Sequence, residues 1–186
     1  MTSLCNDDRG FSLVELLVGI AITAVLGGAV VGSVVRTLQV SADATVRVDA
    51  MTSLQQAHER MTRNIRAADP VGSASPTDLN LTVWDSPNQR RVISYALVGD
   101  TVEQTVATFI SPTASTPSTV GTSVVIDGLV QGAEPLFTYA TSDGTTWNGV
   151  APEDITRVSI TLVAGSGDGT TIPLTTSVFI RNSVIS

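Results

Sequence analysis

Two hydrophobic patterns follow one another along this chain. From Leu16 to Val35 there are 20 consecutive uncharged residues, bounded by Glu15 and Arg36. A helix rises about 1.5 Å per residue, so this run covers roughly 30 Å, the depth of a bilayer's hydrocarbon core, and one membrane crossing is expected. Past Arg36 the apolar positions instead recur every three or four residues: Val40, Ala44, Val48 or Arg47, Met51, Leu54, Ala57, Met61, Ile65 and Ala68. Asp43, Asp49, Glu59, Arg60 and Arg63 fill much of the remainder, which is the pattern of an amphipathic helix. Proline is absent until Pro70, so one helix is predicted from Phe11 to about Ala68. Its second half needs a partner for the apolar stripe, and the nearest is the rest of the chain.

From Val71 the texture changes to Ser, Thr, Gly, Asn and Pro between short alternating runs rich in β-branched residues. These predict strands at Leu79 to Trp84, Arg91 to Leu97, Thr101 to Thr108, Ser123 to Asp127, Pro135 to Ala140, Ile155 to Val163 and Ile172 to Ile180. Turn chemistry separates them at Ser86-Pro87-Asn88, Gly99-Asp100, Ser142-Asp143-Gly144 and Gly165 to Gly169, and Ser111 to Thr122 reads as a Pro/Ser/Thr-rich loop. The fold class expected is α+β: a long N-terminal helix, then a mainly antiparallel sheet with one face covered by the stripe from Val40 to Ala68.

Charge narrows the function. Seventeen acidic against 10 basic residues give −7, and every basic residue is arginine. An acidic surface repels phosphate backbones, so no nucleic-acid partner is expected. Cys5, the only cysteine, precedes the apolar run, so the domain must hold by packing without a disulfide. With four residues ahead of it and no apolar lead-in, Cys5 does not fit a lipoprotein signal.

The segment Arg9-Gly10-Phe11-Ser12-Leu13-Val14-Glu15-Leu16-Leu17-Val18 resembles the cleavage and methylation signal of type IV prepilins and type II secretion pseudopilins. It has a short hydrophilic leader ending in glycine, an aromatic residue, a glutamate four positions on, and an apolar helix. The resemblance implies that prepilin peptidase cuts between Gly10 and Phe11, that the new amine of Phe11 is N-methylated, and that the anchor is retained. Gly10 offers an unobstructed backbone to a protease cleft. Glu15 is a carboxylate at the edge of hydrocarbon, a place where an unpaired charge costs several kcal/mol. In the resembled family the equivalent glutamate meets the N-terminal amine of a neighbouring subunit, which makes Glu15 the candidate assembly residue.

Two plainer readings compete. A secretory signal would use Ala42-Asp43-Ala44 for cleavage, yet the apolar run is longer than such signals carry and the site falls in a helical pattern. An uncleaved single-pass anchor explains the run, and Gly28 with Gly32 would suit a dimerising face. Neither accounts for Glu15 after Gly10-Phe11. The leader departs from the family pattern in that Asp7 and Asp8 outnumber Arg9. The run also lacks the central proline of many major pilins, which favours a minor subunit.

Beyond the signal, the chain is similar to J-type minor pseudopilins and larger minor pilins. That similarity rests on Arg60 to Asp69, Ile93 to Leu97, Leu136 to Tyr139 and the ending Val178 to Asn182. It implies a division into a prepilin leader at 1–10, a transmembrane and filament-core half-helix at 11–36, an amphipathic half at 37–69, and a β-rich domain at 70–186. The implied partners are prepilin peptidase, other major and minor pilins or pseudopilins, and an inner-membrane assembly platform. The implied location is the inner membrane, with the C-terminal domain outside the cytoplasm, and then a pilus or pseudopilus.

No enzyme motif is present: no Gly-x-Ser-x-Gly, no phosphate loop and no clustered carboxylate pair, so no catalytic residue, metal site or cofactor is expected. His58 has no second histidine or nearby cysteine and reads as a surface residue. Trp84, Tyr95, Phe137, Tyr139 and Trp147 read as core. Arg63 and Arg66 suit a helix C-terminus, and Gly167-Asp168-Gly169 a hairpin turn. A membrane-anchored or filament-tip adhesin, using Ser111 to Thr122 as a contact surface, is the alternative function.

Overall fold

The apolar and amphipathic patterns emerge as one element in the computed structural model, which describes residues 12–166 and 169–180. Helix α1 spans Leu13–Arg66, with Glu15 in its first turn and Arg63 and Arg66 in its last, where each sign of charge suits the helix dipole. The chain divides into two compact units between Ala44 and Thr45.

In the second unit, eight strands follow α1: β1 (Val71–Ala74), β2 (Asp78–Ser86), β3 (Gln89–Val98), β4 (Thr101–Phe109), β5 (Thr119–Ile126), β6 (Phe137–Ala140), β7 (Arg157–Gly165) and β8 (Thr171–Phe179). They form two antiparallel meanders, a five-stranded sheet in the order β1-β2-β3-β4-β5 and a three-stranded sheet in the order β6-β7-β8. The fold is α+β. Every strand pairs with its sequence neighbour, as short turns allow. The β3–β4 turn is two residues, between Val98 and Thr101, and Gly99 takes φ +65°, which a side chain would resist.

Alternation decides which side chains enter the core. Leu79, Leu81 and Val83 on β2, Ile93 and Tyr95 on β3, and Val158, Ile160 and Leu162 on β7 are buried at every second position. From α1 they meet Leu54, Ala57, Met61 and Ile65, all within the second unit. Burying each large aliphatic side chain contributes about 1.5–3 kcal/mol against the entropy of ordering the chain. Polar stitches fix the rest. Asn64 Nδ2 donates to the Tyr95 hydroxyl at 2.7 Å, and Arg60 donates to Ser123 Oγ at 2.8 Å. Tyr139 donates to the Ser75 carbonyl at 2.7 Å, tying β6 to the β1–β2 turn. Gln131 donates to the Thr161 carbonyl and accepts from the Val163 amide, holding the β5–β6 connection on β7.

Several expectations need correction. The antiparallel strands divide between two sheets, a detail the expectation did not include. β1 was not anticipated, because Val-Gly-Ser-Ala has weak strand character and forms through its pairing with β2. β5 begins at Thr119, so the loop expected through Thr122 ends sooner; pairing with β4 and a 3.0 Å Thr105–Thr122 hydroxyl contact order this polar stretch. The stripe covers less than expected. Val40 and Val48 are 69 % and 62 % exposed, and burial starts near Leu54. Trp84 is 43 % exposed, because the parity that turns Val83 inward turns its neighbour outward. His58 is buried, only 5 % exposed, since it lies four residues after Leu54 and three before Met61, inside the stripe. Part of the expected turn at Gly167 and Asp168, and Arg181 and Asn182 of the expected ending, lie outside the described residues.

Candidate functional site

The first turn of α1 leaves backbone N–H groups without helical partners, and the Leu16 amide is satisfied by the Ser12 carbonyl at 3.1 Å. Glu15 stands in that turn, where a carboxylate is favoured by about 0.3–1 kcal/mol at an exposed site. Gly19 and Thr23 follow it at four-residue spacing on one face. Together with Leu16, Ile20 and Ala24 they line a shallow, open depression beside the carboxylate. A Cβ added to Gly19, Gly27, Gly28 or Gly32 would meet nothing within 4 Å, so no contact inside the chain demands these glycines.

The apolar run is prepared for a water-free surrounding. Its hydroxyls turn back on the helix: Thr23 donates to the Gly19 carbonyl at 2.8 Å, Ser33 to Ala29 at 2.8 Å and Thr37 to Ser33 at 2.9 Å. Each polar side chain so bonded offers no unpaired donor to hydrocarbon, where one would be costly. The apolar window of α1 has a mean hydropathy of 2.3 and none of it is buried within the chain; by length and composition this helix can cross a membrane. Leu13, Leu16, Leu17, Ile20 and Leu26 are all more than half exposed. Within the chain, then, Glu15 and the run behind it have no partner among the described residues.

Gly10 and Phe11, the candidates for cleavage and N-methylation, lie outside the described residues. Glu15 is placed, exposed, at the start of the helix. Elsewhere, no group of three His, Cys, Asp or Glu side chains converges among the described residues. His58 is buried where its residue type suggests the surface. Both of its ring nitrogens are buried without a hydrogen-bond partner, and burial lowers its pKa, so the neutral imidazole is favoured. Helical spacing from Leu54 was the signal that locates it. Burial raises the pKa of Tyr95, whose hydroxyl accepts from Asn64, and of Tyr139, whose hydroxyl donates to the Ser75 carbonyl; both stay protonated.

Residues 5–31 match the family model described as the prokaryotic N-terminal methylation motif. No curated protein matches the chain. The matched segment ends inside the exposed half of α1 and includes Gly10, Phe11 and Glu15. It supports a type IV pilin-like or pseudopilin-like chain.

Proposed function

We propose that this chain is a structural subunit of the pilin or pseudopilin kind. It is made as a precursor, cut by prepilin peptidase between Gly10 and Phe11, N-methylated at Phe11, and assembled through its apolar half-helix into a membrane-rooted filament. Its role is structural rather than catalytic. One observation carries the reading: the methylation motif at residues 5–31 leads into a long helix whose apolar window buries nothing within its own chain. An apolar surface of that length is stable only in lipid or against other subunits.

In this reading residues 1–10 are the leader, 11–36 the membrane and filament-core half of the helix, 37–69 the amphipathic half, and 70–186 the globular domain. The chain sits in the inner membrane with that domain outside the cytoplasm. It is a minor subunit that primes or caps a type IV pilus or a type II secretion pseudopilus, with other pilins and an inner-membrane platform as partners. The missing central proline and the similarity to J-type pseudopilins favour the minor role.

Glu15 acts in assembly by meeting the methylated amine of Phe11 on a neighbouring subunit, which neutralises two charges in hydrocarbon and selects the stagger. Breaking a buried pair by removing one partner costs about 3–5 kcal/mol. Glu15→Ala therefore inserts and is cleaved normally, while its ratio in sheared filaments to membrane falls by roughly two orders of magnitude. Wild-type incorporation of this variant contradicts the assembly role.

A further inference from the structure

Sheet edges display unpaired backbone N–H and C=O groups, and most proteins blunt them with short strands, proline, bulges or charge. Three of the four edges here are blunted. β1 and β6 are four residues each, and β8 carries Pro173. The fourth, β5, is Thr-Val-Gly-Thr-Ser-Val-Val-Ile: eight residues with no charge and no proline, pairing with β4 on one side only, with one register irregularity at Val125 near its end. Val120 and Val124 on it are 62 % and 54 % exposed.

This edge does not face open solvent alone. Between it and α1 runs an open groove of about 300 Å³, walled by Gln56, Ala57 and Arg60 from the helix and by Val124, Ile126 and Asp127 from the strand side. Arg60 reaches across it to Ser123 Oγ at 2.8 Å and has no carboxylate partner among the described residues. Asp127 closes the opposite end, about 13 Å further along at roughly 3.3 Å per residue. The groove therefore carries a cation from the helix and a carboxylate just past the end of β5, and β5 beside it has one edge that no strand pairs with.

We propose that this groove is a strand-addition site: an extended segment of another protein pairs with β5 and sets a carboxylate against Arg60. Main-chain hydrogen bonds supply the affinity and the charge fixes the register. A second copy of this chain is the poorer occupant. Antiparallel β5–β5 pairing about a two-fold axis normal to the sheet turns the two Leu54–Ile65 segments head to tail, so their N-terminal ends point in opposite directions. Two chains rooted in the same membrane cannot do this. The exclusion of a second copy rests on the membrane anchoring proposed above; the groove itself belongs entirely to the globular unit.

The test uses the full chain in detergent micelles and a capped octapeptide of alternating threonine and valine with a single central glutamate; its twin carries lysine instead. The glutamate peptide binds at least tenfold more tightly, shifts amide resonances of residues 119–127, and loses that preference in Arg60→Glu, which favours the lysine peptide. Val124→Lys weakens both peptides. Equal binding of the two peptides, no binding of either to a folded chain, shifts centred elsewhere, or β5-dependent dimerisation without peptide overturns the proposal. None of these outcomes depends on cleavage at Gly10, so filament assembly and strand addition fail separately.

Discussion

One helix serves two surroundings. Residues 12–49 of the chain are exposed throughout, whereas five residues of the next 16 in α1, Leu54, Ala57, His58, Met61 and Ile65, are buried. Within the first stretch Leu16 to Val35 is apolar on every face, and the second is apolar on one face only. A continuous apolar surface has no inside, so its stability comes from lipid or other chains; a stripe has an inside, and the chain's own sheets supply it. The difference separates what holds the domain together from what recruits it to an assembly.

The comparison breaks most sharply on a pair of identical substitutions. Leu54→Ala, at a site with no exposure, is expected to destabilise the globular unit by about 2–5 kcal/mol, through lost burial and the cavity left behind. Leu26→Ala, at a site 61 % exposed, leaves the unit's urea midpoint unchanged. Urea titration of the micelle-bound chain, followed by tryptophan fluorescence, measures both. An equal loss in the two variants contradicts the separation.

A smaller effect sharpens it on the packed side. The Tyr95 hydroxyl accepts from Asn64 and lies 3.4 Å from Gln104 Nε2, joining α1 to β3 and β4. Tyr95→Phe keeps the ring and strands the Asn64 donor at this part-buried contact, an expected loss of about 1–3 kcal/mol with little change in circular dichroism.

His58 gives the packed half a pH dependence. Burial holds its folded pKa below the unfolded value of 6.5, so the native state binds fewer protons than the unfolded one. Its contribution is complete above pH 6.5 and declines as the pH falls below that value. The melting temperature should drop on acidification from pH 7.5 to 5, and His58→Met should flatten that part of the curve. An unchanged slope in the variant assigns the dependence to carboxylates instead. The smallest effect is expected at Trp84, where Trp84→Ala changes stability by no more than about 0.5 kcal/mol because the ring faces outward.

How much of this was legible in the sequence follows from the range of the signals. The helix and most of the strands rest on local periodicity and were legible to within a few residues, as at Leu13 and Arg66. β1 and the start of β5 were not, because Gly, Ser and Thr carry no period and become strands only when a neighbour pairs with them. The division into two sheets depends on the long connection after Ile126 crossing to β7, a non-local event without a local signature. His58 and Trp84 were misread for one reason: residue type was weighed above position, and position decided both. The processing signal lies in consecutive residues with distinct chemistry, which made Gly10, Phe11 and Glu15 nameable from sequence alone.

If the chain is processed as proposed, it keeps its apolar helix after cleavage at Gly10. Intact-mass measurement of the chain purified from cells with and without prepilin peptidase tests it directly. With the peptidase, the expected product begins at Phe11, carries one N-methyl group and keeps the apolar helix; without it, residues 1–10 remain attached. A product beginning at Thr45 in both strains, or an uncut chain in both, contradicts the claim.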